Sequence, residues 1–218
     1  MIRLAVLDLA GTTIRDDGAV EAAFATAMRE MGEDPDVSLA HVRETMGRSK
    51  IEVFRELFDG TEERAQEANR RFEAAFGARV AHGDVEPIPG ARDAIQAMRA
   101  GGVKVCLTTG FSPATCAAVV AAVGWRELVD LALTPGDGLR GRPHPDLVLA
   151  AVLRLEVGAV QEVAVAGDTA NDLEAGYRAG ASVVAGVLTG AHDRARLEAA
   201  PHTHVLGSVA ELPAVVLS

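Results

Sequence analysis

The sequence has little of three features that would place it in well-defined classes of protein. Its 218 residues include no apolar run close to the roughly 20 residues needed to span a bilayer, so no membrane helix is expected. It has two cysteines, Cys106 and Cys116, without the spacing of a zinc site or a disulfide framework, which predicts two buried structural thiols. Basic residues are in deficit, with 21 Lys and Arg against 31 Asp and Glu, so a nucleic-acid partner is not expected.

The remaining composition is that of a globular enzyme or binding protein. Hydrophobic residues make up 49% of the chain and charged residues 24%, which suits one α/β domain with a small insertion. The first seven residues indicate a buried strand that runs directly into Asp8, too short for a secretory signal. We therefore expect a cytoplasmic protein.

Strand and helix patterns alternate through most of the chain. Five short apolar runs predict strands at 4–7, 103–107, 128–133, 163–166 and 182–187. Four amphipathic patterns predict helices at about 90–100, 113–123, 144–155 and 171–179. Such alternation favours a parallel sheet with helices on both faces.

Residues 18–84 have a different pattern, with no convincing strand. Helical spacing of apolar residues predicts four helices, at about 19–31, 38–46, 49–58 and 62–79. We therefore predict a core domain of 1–17 and 85–218 and an inserted all-helical cap of 18–84. Ligands of parallel sheets bind beyond the carboxyl ends of the strands, where this cap would cover them.

The first of four candidate site motifs follows the strand at 4–7. Asp8 would lie at the end of a buried strand, where a carboxylate is costly unless it is paired or bound to a metal. Gly11 and Thr12 suit a tight loop that offers backbone N–H groups to an anion. The alternative is that Thr12 or Asp16 simply caps a helix.

The second and third motifs would bind phosphate oxygens. Thr109 and Gly110 follow the strand at 103–107 and precede a helix, an arrangement suited to anions. Arg142 precedes a helix that begins with proline, and it could hold a phosphate and offset nearby carboxylates. A plain helix cap and a surface arginine are the alternatives.

The fourth motif places two carboxylates after the strand at 163–166. Asp168 would lie at the strand end and Asp172 in the first turn of the next helix, where both could bind a hard cation. The alternative is a capped helix with acidic residues in its first turn. The coincidence of four such motifs at one end of one sheet favours a functional site.

Together these residues suit phosphoryl transfer. Asp8 would be the nucleophile that forms an aspartyl-phosphate, while Thr109 and Arg142 would hold the phosphoryl oxygens. Mg²⁺ would be bound by oxygen ligands only, namely Asp8, the backbone carbonyl of Ala10, Asp168 and Asp172.

In order along the chain, four segments resemble the motifs of the haloacid dehalogenase superfamily: Asp8-x-Ala10-Gly11-Thr12, Thr109-Gly110, Arg142 before Pro143, and Gly167-Asp168-x₃-Asp172. The resemblance covers essentially the whole chain and implies a Rossmann-like sheet, a helical cap and a Mg²⁺-dependent hydrolase. Most phosphatases of that superfamily have Asp where this chain has Ala10. Without that general acid and base, ester hydrolysis would lose on the order of 10²–10⁴ in rate.

The motif Asp-x-Ala-Gly-Thr and the arginine at position 142 resemble the corresponding motifs of the phosphonatases (phosphonoacetaldehyde hydrolases) and their phosphonatase-like relatives. The segment Met46-Gly47-Arg48-Ser49-Lys50-Ile51 resembles the phosphonatase cap motif, in which the lysine forms a Schiff base with the substrate aldehyde. The resemblance thus implies that Lys50 is catalytic, with a pKa lowered by burial or by a cation such as Arg48. Where that motif has a histidine, this chain has Val53.

The sequence leaves three hypotheses about the function open. Phosphonatase-like C–P cleavage is the first. A small-molecule phosphatase, of the phosphoglycolate phosphatase type, is the second, with a residue such as His82 replacing the acid lost at Ala10. A non-catalytic phosphate-binding module is the third. Lys50 could instead be a solvated residue of an amphipathic helix, and the resemblance to phosphonatases implies a possible homodimer through the cap.

Overall fold

The computed structural model describes all 218 residues, and its centre is a six-stranded sheet in which every strand pair is parallel. The strands are β1 Leu4–Asp8, β2 Lys104–Thr108, β3 Leu131–Leu133, β4 Val163–Gly167, β5 Val183–Val187 and β6 His204–Leu206. Their order across the sheet is β3-β2-β1-β4-β5-β6. The chain order reverses at β1, so the carboxyl end of β1 lies at the switch point where parallel sheets bind ligands.

Helices cover both faces of the sheet, as predicted. Alternate residues of β1 belong to different apolar clusters, with Ala5 and Leu7 in one and Leu4 and Val6 in the other. The core helices are α5 Ala91–Ala100, α6 Pro113–Ala122, α7 Asp146–Arg154, α8 Ala170–Ala179, α9 Arg194–Glu198 and α10 Leu212–Val216. None of the helices is long and apolar enough to cross a membrane.

Four helices and no strand fill the segment between β1 and α5. They are α1 Ala19–Glu30, α2 Pro35–Glu44, α3 Lys50–Leu57 and α4 Glu62–His82. Phe24, Phe54 and Phe72 pack against one another at their centre, with ring centroids 4.7–6.2 Å apart. The apolar cluster of 41 buried residues that holds them also contains Leu7 of the sheet, so these helices pack continuously onto the core.

The structure corrects the sequence prediction at two places. The run at 128–133 is a strand only over Leu131–Leu133, because the backbone N–H groups of Leu128 and Val129 bond to the carbonyl of Trp125 in a turn. The short elements β6, α9 and α10 had no predicted counterpart. The other four strands and all eight predicted helices are present, with ends displaced by a few residues.

Candidate active site

Asp8 is the last residue of β1, and a tight loop follows it. The Gly11 N–H donates to the Ile14 carbonyl at 2.8 Å, and the Thr13 hydroxyl donates to the Asp8 carbonyl at 2.9 Å. The Gly11 N–H is thus used within the loop, and the assignment of this loop to anion binding stays a prediction. Gly11 also serves close packing: its φ is 88°, and a Cβ there would overlap the Asp168 carboxylate.

The carboxylate of Asp168 is held from both sides. The Thr12 hydroxyl donates to its Oδ1 at 3.1 Å, and the Ala191 N–H donates to its Oδ2 at 2.7 Å. Thr12 is fully buried, and its side chain holds Asp168 in place; its predicted part in phosphate binding stays a prediction. Thr189 also connects the loop after β1 with the loop after β5, because its hydroxyl donates to the Gly11 carbonyl at 2.7 Å.

Asp172 caps α8 and also pairs with Arg142, while its predicted part in binding a cation stays a prediction. Its Oδ2 accepts from the Thr169 N–H and hydroxyl at 3.1 and 2.5 Å, closing a capping box at the start of α8. Its Oδ1 is paired with the guanidinium of Arg142. The helix-cap alternative is thus correct for Oδ2, whereas Oδ1 pairs with Arg142.

Arg142 reaches the strand ends through a loop. It lies well after β3, which ends at Leu133, so this motif does not directly follow a strand as predicted. The guanidinium is buried, and its Nη1 bridges Asp8 and Asp172 while its Nε has no hydrogen-bond partner. The surface-arginine alternative is therefore wrong, and the free Nε–H is a donor that an anion could satisfy.

Negative charge exceeds positive charge around Asp8. Burial raises the pKa of Asp8 to about 6; Arg142 opposes this shift and Asp172 adds to it. Burial raises the pKa of Asp168 well above its usual range, and the charges of Asp8 and Asp172 raise it further. Asp8 and Asp172 pair with Arg142 and Asp168 pairs with no basic side chain, so the carboxylates at the strand ends form a site that a cation would stabilise.

This donor set fits Mg²⁺, which prefers oxygen ligands. The Ala10 carbonyl also faces the cavity and accepts no hydrogen bond, so it is available as a further ligand. As placed, no three acidic, His or Cys side chains converge on one point suited to a metal ion. Mg²⁺ binding would require the guanidinium of Arg142 to leave one of the two carboxylates it bridges.

Thr109 and Gly110 both line the cavity, where the second motif was expected. The Thr109 Oγ1 accepts from the Phe111 N–H at 3.3 Å, which leaves its own hydroxyl hydrogen free to donate. Gly110 also meets the cap, because its carbonyl accepts from the Lys50 N–H at 3.2 Å. A Cβ at Gly110 would overlap the Arg48 carbonyl, so glycine lets the two segments touch.

Lys50, the first residue of α3, lies in the cavity with Asp8. It is 6% exposed, so the reading of Lys50 as a solvated surface residue is wrong. Its Nζ lies 5.8 Å from the ring centroid of Phe24 and 5.7 Å from that of Phe111. Burial lowers its pKa to about 8, with Arg142 as the next cause. Arg48 is not among the causes of this lowered pKa. It pairs with Glu56 outside the cavity.

Two other positions of interest lie outside the cavity. Val53 is 2% exposed within the apolar cluster. His82 ends α4 in an exposed position, where its Nδ1 contacts the Ala78 carbonyl, so it cannot replace the acid lost at Ala10. Both cysteines are buried and free, as predicted.

The segment predicted as a cap lies directly against the strand ends of the site. The Asn171 side chain donates to the Met46 carbonyl at 2.7 Å, and a Cβ at Gly47 would overlap the Thr169 hydroxyl. The Glu73 carboxylate of α4 also accepts from the hydroxyls of Ser112 and Thr115 at the start of α6. The cavity beneath has a volume of about 20 Å³, which holds about one water molecule. A phosphonate is larger than this space, so we expect α1–α4 to move when a substrate enters.

Sequence reasoning overlooked Asp16 as a member of the site. This residue lines the cavity together with Asp8 and Lys50, although it lies in the segment between β1 and α1. The segment Asp16-Asp17-Gly18 is typical of a helix cap. No periodic pattern in the sequence indicates that the Asp16 side chain lies at the cavity. A larger groove of about 330 Å³ lies between α6 and β3 and contains none of the motif residues.

Comparison with known proteins agrees with the family resemblance of the sequence motifs. Residues 2–180 match the haloacid dehalogenase-like hydrolase family. A phosphonoacetaldehyde hydrolase of Bacteroides fragilis is 30% identical, with 99% of this chain and 95% of that protein covered. A probable phosphatase, IndB, of Dickeya dadantii is 28% identical, with 96% and 91% covered.

Solved structures agree in fold. A phosphonoacetaldehyde hydrolase-like protein from Oleispira antarctica has a TM-score of 0.84 at 28% identity, with 99% of this chain and 91% of that chain covered. A hydrolase from Pseudomonas syringae has a TM-score of 0.85 at 23% identity, with 96% and 95% covered.

Proposed function

The chain belongs to the haloacid dehalogenase-like hydrolase family, and from that premise we propose that it cleaves the C–P bond of phosphonoacetaldehyde or a related phosphonate aldehyde. In this proposal Asp8 attacks phosphorus and Lys50 holds the aldehyde carbon as an imine. The substrate is a small phosphonate, and the residues that bind its phosphonate group are Thr109, Gly110 and Arg142.

The observation that carries the proposal is the placement of the Lys50 amine in the cavity of Asp8. A buried lysine with a pKa of about 8 is partly neutral near neutral pH, as imine formation requires. The rings of Phe24 and Phe111 keep water away from it. Lys104, the second of the chain's two lysines, is exposed on β2 and lies outside the cavity.

Imine formation explains how the reaction can proceed with Ala10 in place of an acid. An ester needs an acid to protonate its leaving oxygen, which alanine cannot supply. With an imine at Lys50, the C–P electron pair moves into the carbon framework and onto the imine nitrogen as Asp8 attacks. Protonation of the resulting enamine carbon and addition of water release acetaldehyde, and a second water hydrolyses the aspartyl-phosphate.

Mg²⁺, when bound, would supply positive charge against the phosphonate oxygens and the carboxylates. Asp8, the Ala10 carbonyl, Asp168 and Asp172 are the residues that would hold it. Thr12 and Ala191 fix the Asp168 carboxylate through hydrogen bonds to its two oxygens. The closed cap excludes bulk water, which protects the imine and the aspartyl-phosphate from premature hydrolysis.

Turnover of phosphonoacetaldehyde with Mg²⁺ tests the proposal, measured as acetaldehyde and phosphate release. Wild type and Lys104→Arg are expected to turn over at the same rate. Lys50→Arg, which keeps the charge but cannot form an imine, and Asp8→Asn, which removes the nucleophile, are expected to be inactive. Turnover by Lys50→Arg at the wild-type rate would exclude the imine.

A small-molecule phosphatase is the second candidate, favoured by the similarity to the probable phosphatase of Dickeya dadantii. The alignment with the Bacteroides fragilis phosphonoacetaldehyde hydrolase spans 258 positions against a chain of 218, so that protein has segments with no counterpart here. A panel of phosphate esters separates the candidates. Mg²⁺-dependent ester hydrolysis that is abolished in Asp8→Asn but unaffected in Lys50→Arg would identify a phosphatase.

A further inference from the structure

Asp16 is an ionisable residue of the cavity for which the proposed mechanism has no role. Five ionisable side chains line the cavity: Asp8, Asp16, Lys50, Arg142 and Asp168. The other four are assigned to nucleophilic attack, imine formation, phosphonate binding and the metal. Asp16 is half-buried, and it comes from the segment that joins the core to the cap.

The carboxylate of Asp16 is held by the first turn of α1. Its Oδ1 accepts from the Val20 N–H at 3.0 Å, and the Ala19 N–H also acts on the carboxylate. The ion pairs of the site join Arg142 to Asp8 and Asp172, and neither Asp16 nor Lys50 takes part in one. A carboxylate and an amine without ion-pair partners therefore share one closed cavity.

The two charges are close enough to influence each other. Burial lowers the pKa of Lys50, and Asp16 is the leading influence in the opposite direction. Burial raises the pKa of Asp16, while the Val20 N–H and the Lys50 charge oppose that shift. The raised pKa of the carboxyl and the lowered pKa of the amine bring the proton affinities of the two groups closer together, which favours proton exchange between them.

Imine formation needs a proton carrier, and the other positions considered for this task lack one. Ala10 has no ionisable group, Val53 is apolar and buried away from the cavity, and His82 is exposed at the end of α4. Asp8 is assigned to attack on phosphorus and Asp168 to the metal. Asp16 is the carboxylate of the cavity whose charge acts most strongly on the Lys50 amine.

We propose that Asp16 is the proton carrier for imine formation at Lys50, an inference that rests on the proposed function. Asp16 takes one proton from the Lys50 ammonium, and the neutral amine adds to the aldehyde carbon. A proton then moves from that nitrogen to the former carbonyl oxygen, which gives a neutral carbinolamine.

Asp16 next returns its proton to the carbinolamine hydroxyl. The C–O bond breaks with its electron pair leaving on water, and the nitrogen lone pair forms the C=N bond of the cationic imine. One ammonium and one aldehyde thus give one iminium and one water, and Asp16 is again a carboxylate.

The rate at which borohydride-reduced adduct accumulates on Lys50 tests this assignment, measured by rapid quenching of excess phosphonoacetaldehyde and mass spectrometry. Asp16→Asn keeps an Oδ1 acceptor for the Val20 N–H, so the loop is preserved. It is expected to slow adduct formation on the order of 10²-fold. Asp17→Asn, which removes the same charge from the exposed neighbouring residue, is expected to match wild type.

Loss of Asp16 also removes a negative charge that keeps Lys50 protonated. A slower rate in Asp16→Asn therefore could not come from a smaller fraction of neutral amine. Asp16→Glu retains a carboxyl and is expected to keep more of the rate than Asp16→Asn.

Each outcome decides between the hypotheses. Equal rates in wild type and Asp16→Asn, or equal losses in Asp16→Asn and Asp16→Glu, would overturn the role of Asp16 while leaving Lys50 as the imine lysine. Absence of any adduct in wild type would instead overturn the proposed function, and the role of Asp16 with it.

Discussion

Lys50 and Lys104 are the two lysines of the chain, and their surroundings are opposite. Lys104 is exposed on β2, whereas Lys50 is buried between two aromatic rings. The charged groups that face Lys50 are Arg142, Asp16, Asp8 and Asp168. Burial and the Arg142 charge lower the pKa of Lys50 to about 8 and outweigh the three carboxylates.

This pKa predicts how imine formation depends on pH. The neutral amine is the reactive form, and its fraction rises as pH increases through the pKa. The rate of borohydride trapping at Lys50 should therefore increase between pH 7 and pH 9, with a midpoint near 8. Quenched reactions at a series of pH values would measure it. A midpoint near 10.5, the ordinary lysine value, would mean that Lys50 is solvated when substrate binds.

At the residue scale, the sequence predicts chemistry better than contacts. Asp8, Thr109, Arg142 and Lys50 can be identified from short motifs, and the structure places all four at one cavity. The hydrogen bonds of Thr12 and Gly11 cannot be predicted this way, because each depends on residues far along the chain.

At the scale of elements, α3 and the loop before it carry the cap's contribution to the site. The loop meets α8 at Gly47, where φ is 83°, and at Asn171, which bonds to Met46. These contacts set the distance between the Lys50 amine and the strand ends.

Gly47→Ala should separate the cap from the core. Alanine at a positive φ costs about 1–2 kcal/mol, and the new Cβ would overlap Thr169. We expect kcat/KM to fall on the order of 10²-fold through misplacement of Lys50. Steady-state kinetics would measure it.

Gly60→Ala is the matched control. Gly60 has a similar φ of 74°, but no atom lies within 4 Å of a Cβ there. It should lose comparable stability and keep its activity. Equal losses of activity in both variants would show that backbone strain, rather than the contact with Thr169, is responsible.

Element boundaries follow from the sequence where apolar periodicity is long. All four cap helices were predictable for that reason, whereas the strands beside β1 were predictable from runs of consecutive apolar residues. The elements β6, α9 and α10 have three to five residues each, too few for a periodic pattern, and tertiary packing forms them. The division of the chain into a core and a cap remains a prediction, since one apolar cluster runs through both parts.

For the whole molecule, the unbalanced charge at the strand ends links stability to pH. Burial raises the pKa of Asp8 to about 6 from 3.8. The fold therefore favours the protonated form, and the stability this contributes is complete below about pH 4 and lost as pH rises through about 6. A cation that binds the ionised carboxylates would restore it.

Magnesium should consequently stabilise the protein, most strongly above pH 7. At 100 times its dissociation constant it would add about 2.7 kcal/mol, or roughly 5–10 °C in Tm for a chain of this size. Asp168→Asn should abolish this increase, and Asp17→Asn should retain it. Thermal melts with Mg²⁺ or chelator would measure the shift. An equal shift in Asp168→Asn would place the metal elsewhere.

Peptide mapping of protein reduced with borohydride during turnover of phosphonoacetaldehyde tests the central claim most directly. With only two lysines in the chain, the reduced adduct has few places to form. The account predicts a substrate-dependent mass increase on Lys50, none on Lys104, and none in Lys50→Arg. Turnover without any adduct on Lys50, or an adduct only on Lys104, would contradict it.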